Sequence, residues 1–289
     1  MKFKLIVVVS VCLWLVSCAA NTVITNPKQV HLDNSEQQAE IYDAYFIPAK
    51  LGNPISQYNM GYLYYNGIGM KFNYGKALFW CLRAAEQGII AAQNELGYMY
   101  YNGLGTPAIH SKSLYWYTQA ALSGDPSAQY NLAVTYDLGK GVSSNYKIAL
   151  YWYQQSARHG NQYARRALAD RYFYGVMGVT RDYTKSYYWF NSLGKQVNSD
   201  DMFKLSIQYF FGLGVKTNRA KAYALCKQSA SLGNQVAIYE LKKINFSTRI
   251  QGNYSVLEKE FLASANKLRQ PTVMDSLMLI DSNTPSSTK

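Results

Sequence analysis

Residues that could carry out catalysis are few in this sequence. The histidines are His31, His110 and His159, and the cysteines are Cys12, Cys18, Cys81 and Cys226. No His-x-x-x-His, Glu-x-x-His or paired-cysteine spacing brings metal ligands together, and no nucleophile is paired with a base. We therefore expect no enzymatic activity, no metal site and no cofactor.

The first residues have the layout of a secretory signal. Lys2 and Lys4 precede an apolar stretch that runs from Leu5 to Val16. A helix of that length rises only about 18 Å, which is short of the roughly 30 Å hydrocarbon core of a bilayer. A permanent transmembrane span is therefore the weaker interpretation.

Cys18 is the thiol placed for covalent modification. The sequence Leu15-Val16-Ser17-Cys18 resembles the lipobox of bacterial lipoproteins, in which the chain is cut before the cysteine and lipid is attached to its thiol. This resemblance implies a membrane anchor on Cys18, and Ala19, because it is not aspartate, favours the outer membrane over the inner. The alternative is an ordinary cleaved signal with a chance cysteine.

Tryptophan and glycine recur with a period close to 36 residues. The tryptophans are Trp80, Trp116, Trp152 and Trp189, at spacings of 36, 36 and 37. A Gly-x-Gly begins at Gly67, Gly103, Gly139 and Gly212, and in the fourth repeat Gly175 and Gly178 are one residue farther apart. Repetition at this period is typical of stacked helical units.

Each repeat is predicted to contain two amphipathic helices. The first helix carries small and apolar residues at i, i+4, i+5 and i+8, as in Ala92, Leu96, Gly97 and Tyr100. The small residue should allow close helix approach, and the Gly-x-Gly should end the helix. The second helix should begin near the lysine of Lys76 or its equivalents and carry the tryptophan. We expect Cys81 and Cys226, one residue past that position, to be small core residues.

The pattern Ala-x-x-x-Leu-Gly-x-x-Tyr, Gly-x-Gly, Lys-Ala-x-x-Trp-Tyr and Ala-Ala resembles the Sel1-like repeats, a branch of the tetratricopeptide-like proteins. The resemblance covers five repeats, and the fifth departs from it with Leu225 in place of tryptophan. It implies an all-α fold, a right-handed α-solenoid of antiparallel helix pairs.

The predicted organisation places this array between two polar ends. The segments are a signal peptide at 1–17, a flexible tether at 18–35, an N-terminal half repeat at 36–52, five repeats at 53–88, 89–124, 125–160, 161–197 and 198–233, a C-terminal half repeat with a capping helix at 234–270, and a disordered tail at 271–289.

A row of aromatic side chains is a candidate binding surface. Family analogy places the first helices on the concave wall. At 100° per residue, positions i+2, i+6 and i+9, counted from the leading small residue at i, should face the groove. These positions hold Tyr58, Tyr62, Tyr65, Tyr98, Tyr101, Tyr130, Phe173, Phe203 and Phe210, with Arg166 and Asp170 adding charge. The alternative is that many of these rings pack between helices.

The chain is basic, with 29 lysines and arginines against 17 acids. Because these charges are scattered without a run of five, we do not expect nucleic acid as a partner. The leading hypothesis is a membrane-anchored scaffold of the bacterial envelope that binds a protein, such as an acidic or extended peptide or a host factor. The alternative is a module that binds peptidoglycan or another glycan.

Overall fold

The computed structural model describes residues 35–247, with side chains from residue 42 to residue 241. This part of the chain contains twelve α-helices, one short 3-10 helix and no strand. In chain order the α-helices are α1 (Ser35–Lys50), α2 (Pro54–Asn66), α3 (Tyr74–Glu86), α4 (Ile90–Asn102), α5 (His110–Leu122), α6 (Pro126–Leu138), α7 (Tyr146–Arg158), α8 (Gln162–Tyr174), α9 (Tyr183–Asn191), α10 (Ser199–Phe211), α11 (Arg219–Ser231) and α12 (Gln235–Ser247).

The helices form two compact units. Of the described residues, those up to Asn145 form the first unit and those from Tyr146 form the second, so the boundary lies inside the third repeat. Within each unit, consecutive helices pack on one another. The prediction of an all-α solenoid of helix pairs is confirmed. The predicted signal peptide, tether, second capping helix near 254–268 and tail lie outside the described residues.

Left-handed glycines end the first helices, as predicted. Gly67, Gly103, Gly139, Gly175 and Gly212 each follow such a helix with φ between 66° and 72°. The extra residue of the fourth repeat is accommodated in the same loop, where Met177 takes φ 55°. Because glycine has no Cβ, it adopts this region more readily than other residues, so the repeated glycines favour ending each first helix at the same place.

Asparagine and aspartate side chains begin many of the helices. At α3, the Asn73 side-chain oxygen accepts the Lys76 backbone N–H at 2.9 Å. Asp182 and Asn218 cap α9 and α11 in the same way. These second helices therefore start two residues before the lysine at which they were predicted to begin, because the capping residue lies three residues before that lysine.

A lysine at the start of four second helices lies over a tyrosine of the preceding first helix. The ammonium to ring-centroid distances are 5.0 Å for Lys76 and Tyr64, 5.2 Å for Lys112 and Tyr100, 5.3 Å for Lys185 and Tyr172, and 4.4 Å for Lys221 and Tyr209. This cation–π contact joins the two helices of a repeat. It gives a physical reason why the repeat carries both residues.

Candidate functional site

The rings predicted to line an open groove are largely buried. Tyr58, Tyr62, Tyr130, Phe173 and Phe203 are each at most 3% exposed. The expectation that they are accessible is wrong for these five residues, and packing between helices, the alternative, describes them better. The Tyr58 and Tyr62 rings lie 6.5 Å apart within the core of the first unit.

Tyr65, Tyr98, Tyr101 and Phe210 are half-buried. The Tyr65 ring packs at 5.4 Å against Tyr74, and the Tyr101 ring packs at 5.1 Å against His110. These contacts join the end of a first helix to the start of the next helix. A role of these rings in binding a partner stays a prediction.

Arg166 and Asp170, the predicted groove charges, form ion pairs inside the second unit. Arg166 Nε donates to Asp201 Oδ2 at 2.9 Å, and Lys204 Nζ donates to Asp170 Oδ1 at 2.5 Å. Although burial opposes the charged form of Lys204, the Asp170 carboxylate raises the pKa of the Lys204 ammonium. Both pairs link α8 to α10, so these charges lie at the contact between consecutive repeats, where removal of one partner would leave a buried charge unpaired.

The remaining chemical predictions concern the cysteines. Cys18 lies outside the described residues, so its lipidation stays a prediction. Cys81 and Cys226 are buried in the core as thiols that form no disulfide, as expected. Within residues 35–247 no cluster of metal-ligating side chains occurs, and no helix in that range is long and apolar enough to cross a membrane.

Exposed aromatic residues lie on the second helices instead. Phe79 and Tyr115 in the first unit and Tyr151 and Tyr188 in the second are between 48% and 63% exposed. Each ring packs edge-on against the tryptophan that follows it, with centroids 4.9–5.1 Å apart. These rings were not among the predicted binding residues, although an aromatic residue stands before each repeat tryptophan in the sequence.

A cleft of about 430 Å³ opens in the first unit between α1, α2 and the start of α3. Its lining residues are Tyr42, Tyr64, Met70, Lys71, Phe72, Asn73 and Lys76. We call it the α1–α3 cleft. Its loop is held in place because Asn73 N donates to the Tyr64 carbonyl at 2.8 Å. Phe72 is 59% exposed at the rim.

The α1–α3 cleft combines apolar surface with positive charge. Lys71 and Lys76 are exposed, and the charges of Lys76 and Asp43 both act on the Tyr42 hydroxyl. Burial and a hydrogen bond with Tyr64 raise the pKa of Tyr42 to about 12, so this hydroxyl is a neutral donor at physiological pH. Such a site suits an apolar side chain lying next to a carboxylate.

This cleft was not predicted from the sequence either. After the Gly-x-Gly, the first repeat has Met70-Lys71-Phe72, whereas the third, fourth and fifth repeats have Val142, Val179 and Val215 at the position of Met70. This departure from the repeat was the available signal. The sequence of this loop alone does not predict a cleft, because the cleft forms only where α1 packs beside the loop.

The family model described as the Sel1 repeat matches residues 54–89, 90–125, 126–161, 162–196 and 199–234, more than half of the chain. The chain belongs to the Sel1 repeat family. Sel1 repeats form a non-catalytic scaffold fold and generally mediate protein–protein interactions. The matched repeats begin one residue after the predicted boundaries. The comparison with curated proteins gives no match.

Two solved Sel1 repeat structures are similar to the chain. One is a protective antigen of uropathogenic Escherichia coli strains with an SLR fold, at 27% identity and TM-score 0.67, covering 81% of this chain and 54% of that one. The other is a Sel1 repeat protein from Oxalobacter formigenes, at 28% identity and TM-score 0.60, covering 81% of this chain and 96% of that one. The chain thus spans about half the length of the E. coli antigen.

Proposed function

We propose that this Sel1 repeat protein is a membrane-anchored scaffold of the bacterial envelope that binds a protein partner in the α1–α3 cleft. The observation that carries the proposal is the recess itself, in which Met70, Phe72 and the tyrosines meet two lysines. Methionine and aromatic side chains adapt to an apolar anchor, and a concave site can shield it from water.

The partner segment would be an extended peptide that carries an aromatic or branched apolar side chain beside an acidic residue. The apolar side chain would fill the recess against Met70 and Phe72, and the carboxylate would pair with Lys71. Because Lys76 already lies over the Tyr64 ring at 5.0 Å, Lys71 is the freer of the two to pair with a partner. The low entropy loss of rigid rings favours such contacts.

The anchor in this proposal is lipid on Cys18, supported by the lipobox-like Leu15-Val16-Ser17-Cys18. More than one acyl chain would hold the protein stably on a bilayer, since each buried CH₂ contributes about 0.8 kcal/mol. Ala19 supports the outer membrane. Host factors are a further class of partner, because the similar E. coli protein is a protective antigen.

Site-specific crosslinking would test the partner. A photo-crosslinking residue replaces Phe72 in the full chain in its native cells, and captured species are identified by mass spectrometry. We expect one dominant protein, and at least a tenfold loss of its capture in a Lys71→Glu background. The matched control is Lys140→Glu, which reverses an exposed lysine of the same unit outside the cleft.

Two outcomes would contradict the proposal. Equal capture in the Lys71→Glu and Lys140→Glu proteins would show that the cleft charge is not used. Capture of muropeptides in place of a protein would favour the alternative, a peptidoglycan-binding module, in which exposed rings such as Phe72 stack on sugars. Mass spectrometry of the Cys18 peptide from the same sample tests the lipid anchor independently.

A further inference from the structure

The positive charge of the chain is concentrated in the second unit. Residues 146–241 contain thirteen lysines and arginines and five acids, whereas residues 42–145 contain six and five. The first unit is therefore close to neutral. An asymmetry of this size between two units of one repeat array points to a different partner for the second unit.

Cations on the first helices of the second unit interact with other groups of the same unit. Arg165 donates to the Ala157 and Ser192 carbonyls at 3.2 and 2.9 Å, and Arg166 and Lys204 form the ion pairs with Asp201 and Asp170. Arg171 lies 4.5 Å from the Tyr153 ring. Arg171 is buried and the other three cations are half-buried, so these four charges are less accessible than those on the second helices.

The exposed cations lie on the second helices and in their flanking loops. They are Lys147, Arg158, Arg181, Lys185, Lys195, Lys216, Arg219, Lys221 and Lys227. Among the described side chains of this unit, Asp200 on α10, a first helix, is the exposed acid. Asp182 is partly shielded and pairs with Lys185 at 3.1 Å. Helices α7, α9 and α11 themselves contain no acid.

Exposed tyrosines lie among these cations at helical spacing. On α7, Lys147, Tyr151 and Arg158 are at i, i+4 and i+11, which is one stripe within about 40°. On α11, Arg219, Tyr223 and Lys227 are at i, i+4 and i+8.

Helix α9 has an exposed ring as well. It presents Tyr188, which packs on the half-buried Trp189 with ring centroids 4.9 Å apart. Tyr151 and Tyr188 hold equivalent positions before the repeat tryptophan, whereas Tyr223 lies one position earlier in its helix. We call the exposed surface of α7, α9 and α11, the second helices of successive repeats, the second-helix face.

We propose that the second-helix face of the second unit docks on a bilayer surface that carries anionic phospholipid headgroups. Tyrosine side chains insert at the boundary between headgroups and acyl chains, because the ring is apolar while its hydroxyl can stay hydrated. Lysine and arginine lay their stems along the same apolar layer and pair their charges with lipid phosphates.

A protein partner fits this face less well. The cations are spread over three helices and three connecting segments, and exposed tyrosines lie among them. A surface with distributed positive charge is complementary to the distributed negative charge of anionic lipid. The inference does not depend on acylation of Cys18, because it uses side chains of residues 146–241 alone.

Lysine footprinting on vesicles would test this orientation. The full chain, purified from bacterial membranes, is bound to vesicles of phosphatidylcholine alone or with about 30% phosphatidylglycerol, and exposed amines are labelled with a water-soluble reagent. We expect labelling of Lys147, Lys195 and Lys227 to fall at least fivefold on the anionic vesicles. Labelling of Lys50 and Lys140 in the first unit should stay unchanged. Salt at about 0.5 M should restore labelling, since it screens the attraction.

The matched variant is Arg158→Glu with Lys227→Glu, because neither residue forms one of the cation–π contacts that Lys185 and Lys221 make. Its circular dichroism should equal that of the native chain, and its protection on anionic vesicles should be lost. A Lys50→Glu/Lys140→Glu protein should keep the protection.

Equal labelling on both vesicle types would overturn the proposal, as would protection that persists in the Arg158→Glu/Lys227→Glu protein. Protection that requires added envelope protein would assign the face to a protein instead. If Cys18 is not acylated, co-sedimentation that depends on phosphatidylglycerol replaces the footprint as the supporting result. The Lys71→Glu variant separates the two proposals, since it should lose partner capture and keep the vesicle footprint.

Discussion

Gly97 on α4 lies directly against the ring of Tyr117 on α5. A Cβ at Gly97 would stand 2.4 Å from Cδ1 and 2.5 Å from Cε1 of that ring, which is fully buried. The same helix position in the first repeat, Gly61, faces the Cys81 sulfur, where a Cβ would stand 2.4 Å from Sγ. The small residue is therefore required for the helix pair to close, as the repeat pattern predicts.

Replacing this glycine should destabilise the protein despite the gain in helix propensity. Gly97→Ala gains up to about 1 kcal/mol of propensity, but displacing the Tyr117 ring should give a net loss of about 1–3 kcal/mol. Urea unfolding followed by circular dichroism measures it. The control is Gly75→Ala on α3, where the new Cβ would meet only Asn73 Oδ1 at 3.4 Å. If Gly97→Ala is as stable as Gly75→Ala, the two helices can separate without cost.

The ion pair between consecutive repeats predicts a second stability effect. The Asp201 carboxylate is fully buried, while the Arg166 side chain is 23% exposed. Arg166→Met should destabilise by about 2–4 kcal/mol because it leaves a buried charge without its partner. Adding Asp201→Asn should recover part of that loss, since asparagine keeps an acceptor for the Asn198 backbone N–H and removes the charge.

The outcome of that double-mutant cycle also decides the role of Arg166. No change in stability on Arg166→Met would mean that Arg166 is available to a partner, as the sequence analysis supposed. A loss that Asp201→Asn does not reduce would assign the effect to packing of the arginine stem instead of its charge.

The buried tyrosines predict that groove mutations act on folding. Tyr62 is 1% exposed in the core of the first unit, so Tyr62→Ala should cost about 3–5 kcal/mol. Tyr115→Ala removes an equally large ring that is 55% exposed, and it should cost less than about 1 kcal/mol. Thermal melts compare the two proteins. If Tyr62→Ala melts at the same temperature as Tyr115→Ala and retains full helicity, Tyr62 is accessible, and the prediction that it lines a groove would be correct.

Most of the fold could be predicted because it depends on local rules. Left-handed glycines end the first helices, and asparagine caps such as Asn73 begin the second helices. A period of 36 residues then requires each amphipathic helix to pack on its neighbours. These rules hold in both units without reference to contacts between distant segments.

The binding surface could not be predicted by the same rules. The groove prediction assumed that a first helix buries one stripe, but on α2 the side chains from Ser56 to Tyr64 are buried without a gap. This helix is buried on all sides although it carries the polar residues Ser56, Gln57 and Asn59, so its sequence alone does not show that it is an interior helix. Which face of a first helix is exposed depends on how the second helices cover it. The hydrophobic periodicity of a single helix gives no information about that packing.

The buried thiol of Cys226 predicts a dependence of stability on alkaline pH. Burial, together with the charge of Glu240, raises the pKa of Cys226 from 9.0 to about 11. The folded state therefore holds this proton more tightly than the unfolded state does. The contribution is fully present below about pH 9 and is lost as pH rises through 11.

Comparison with Cys226→Ala isolates this thiol from the tyrosines and lysines that titrate in the same range. Between pH 8 and pH 11 the native chain should lose more stability in urea than Cys226→Ala does, while Cys81→Ala serves as a control for a buried cysteine in the other unit. At pH 8 Cys226 in the folded protein should react with a thiol reagent at least a hundredfold more slowly than Cys226 in the urea-unfolded chain, because burial keeps the thiol protonated and out of reach of the reagent. Rapid modification of Cys226 at pH 8 in the folded protein would show that the contact between α11 and α12 opens, and the alkaline dependence should then disappear.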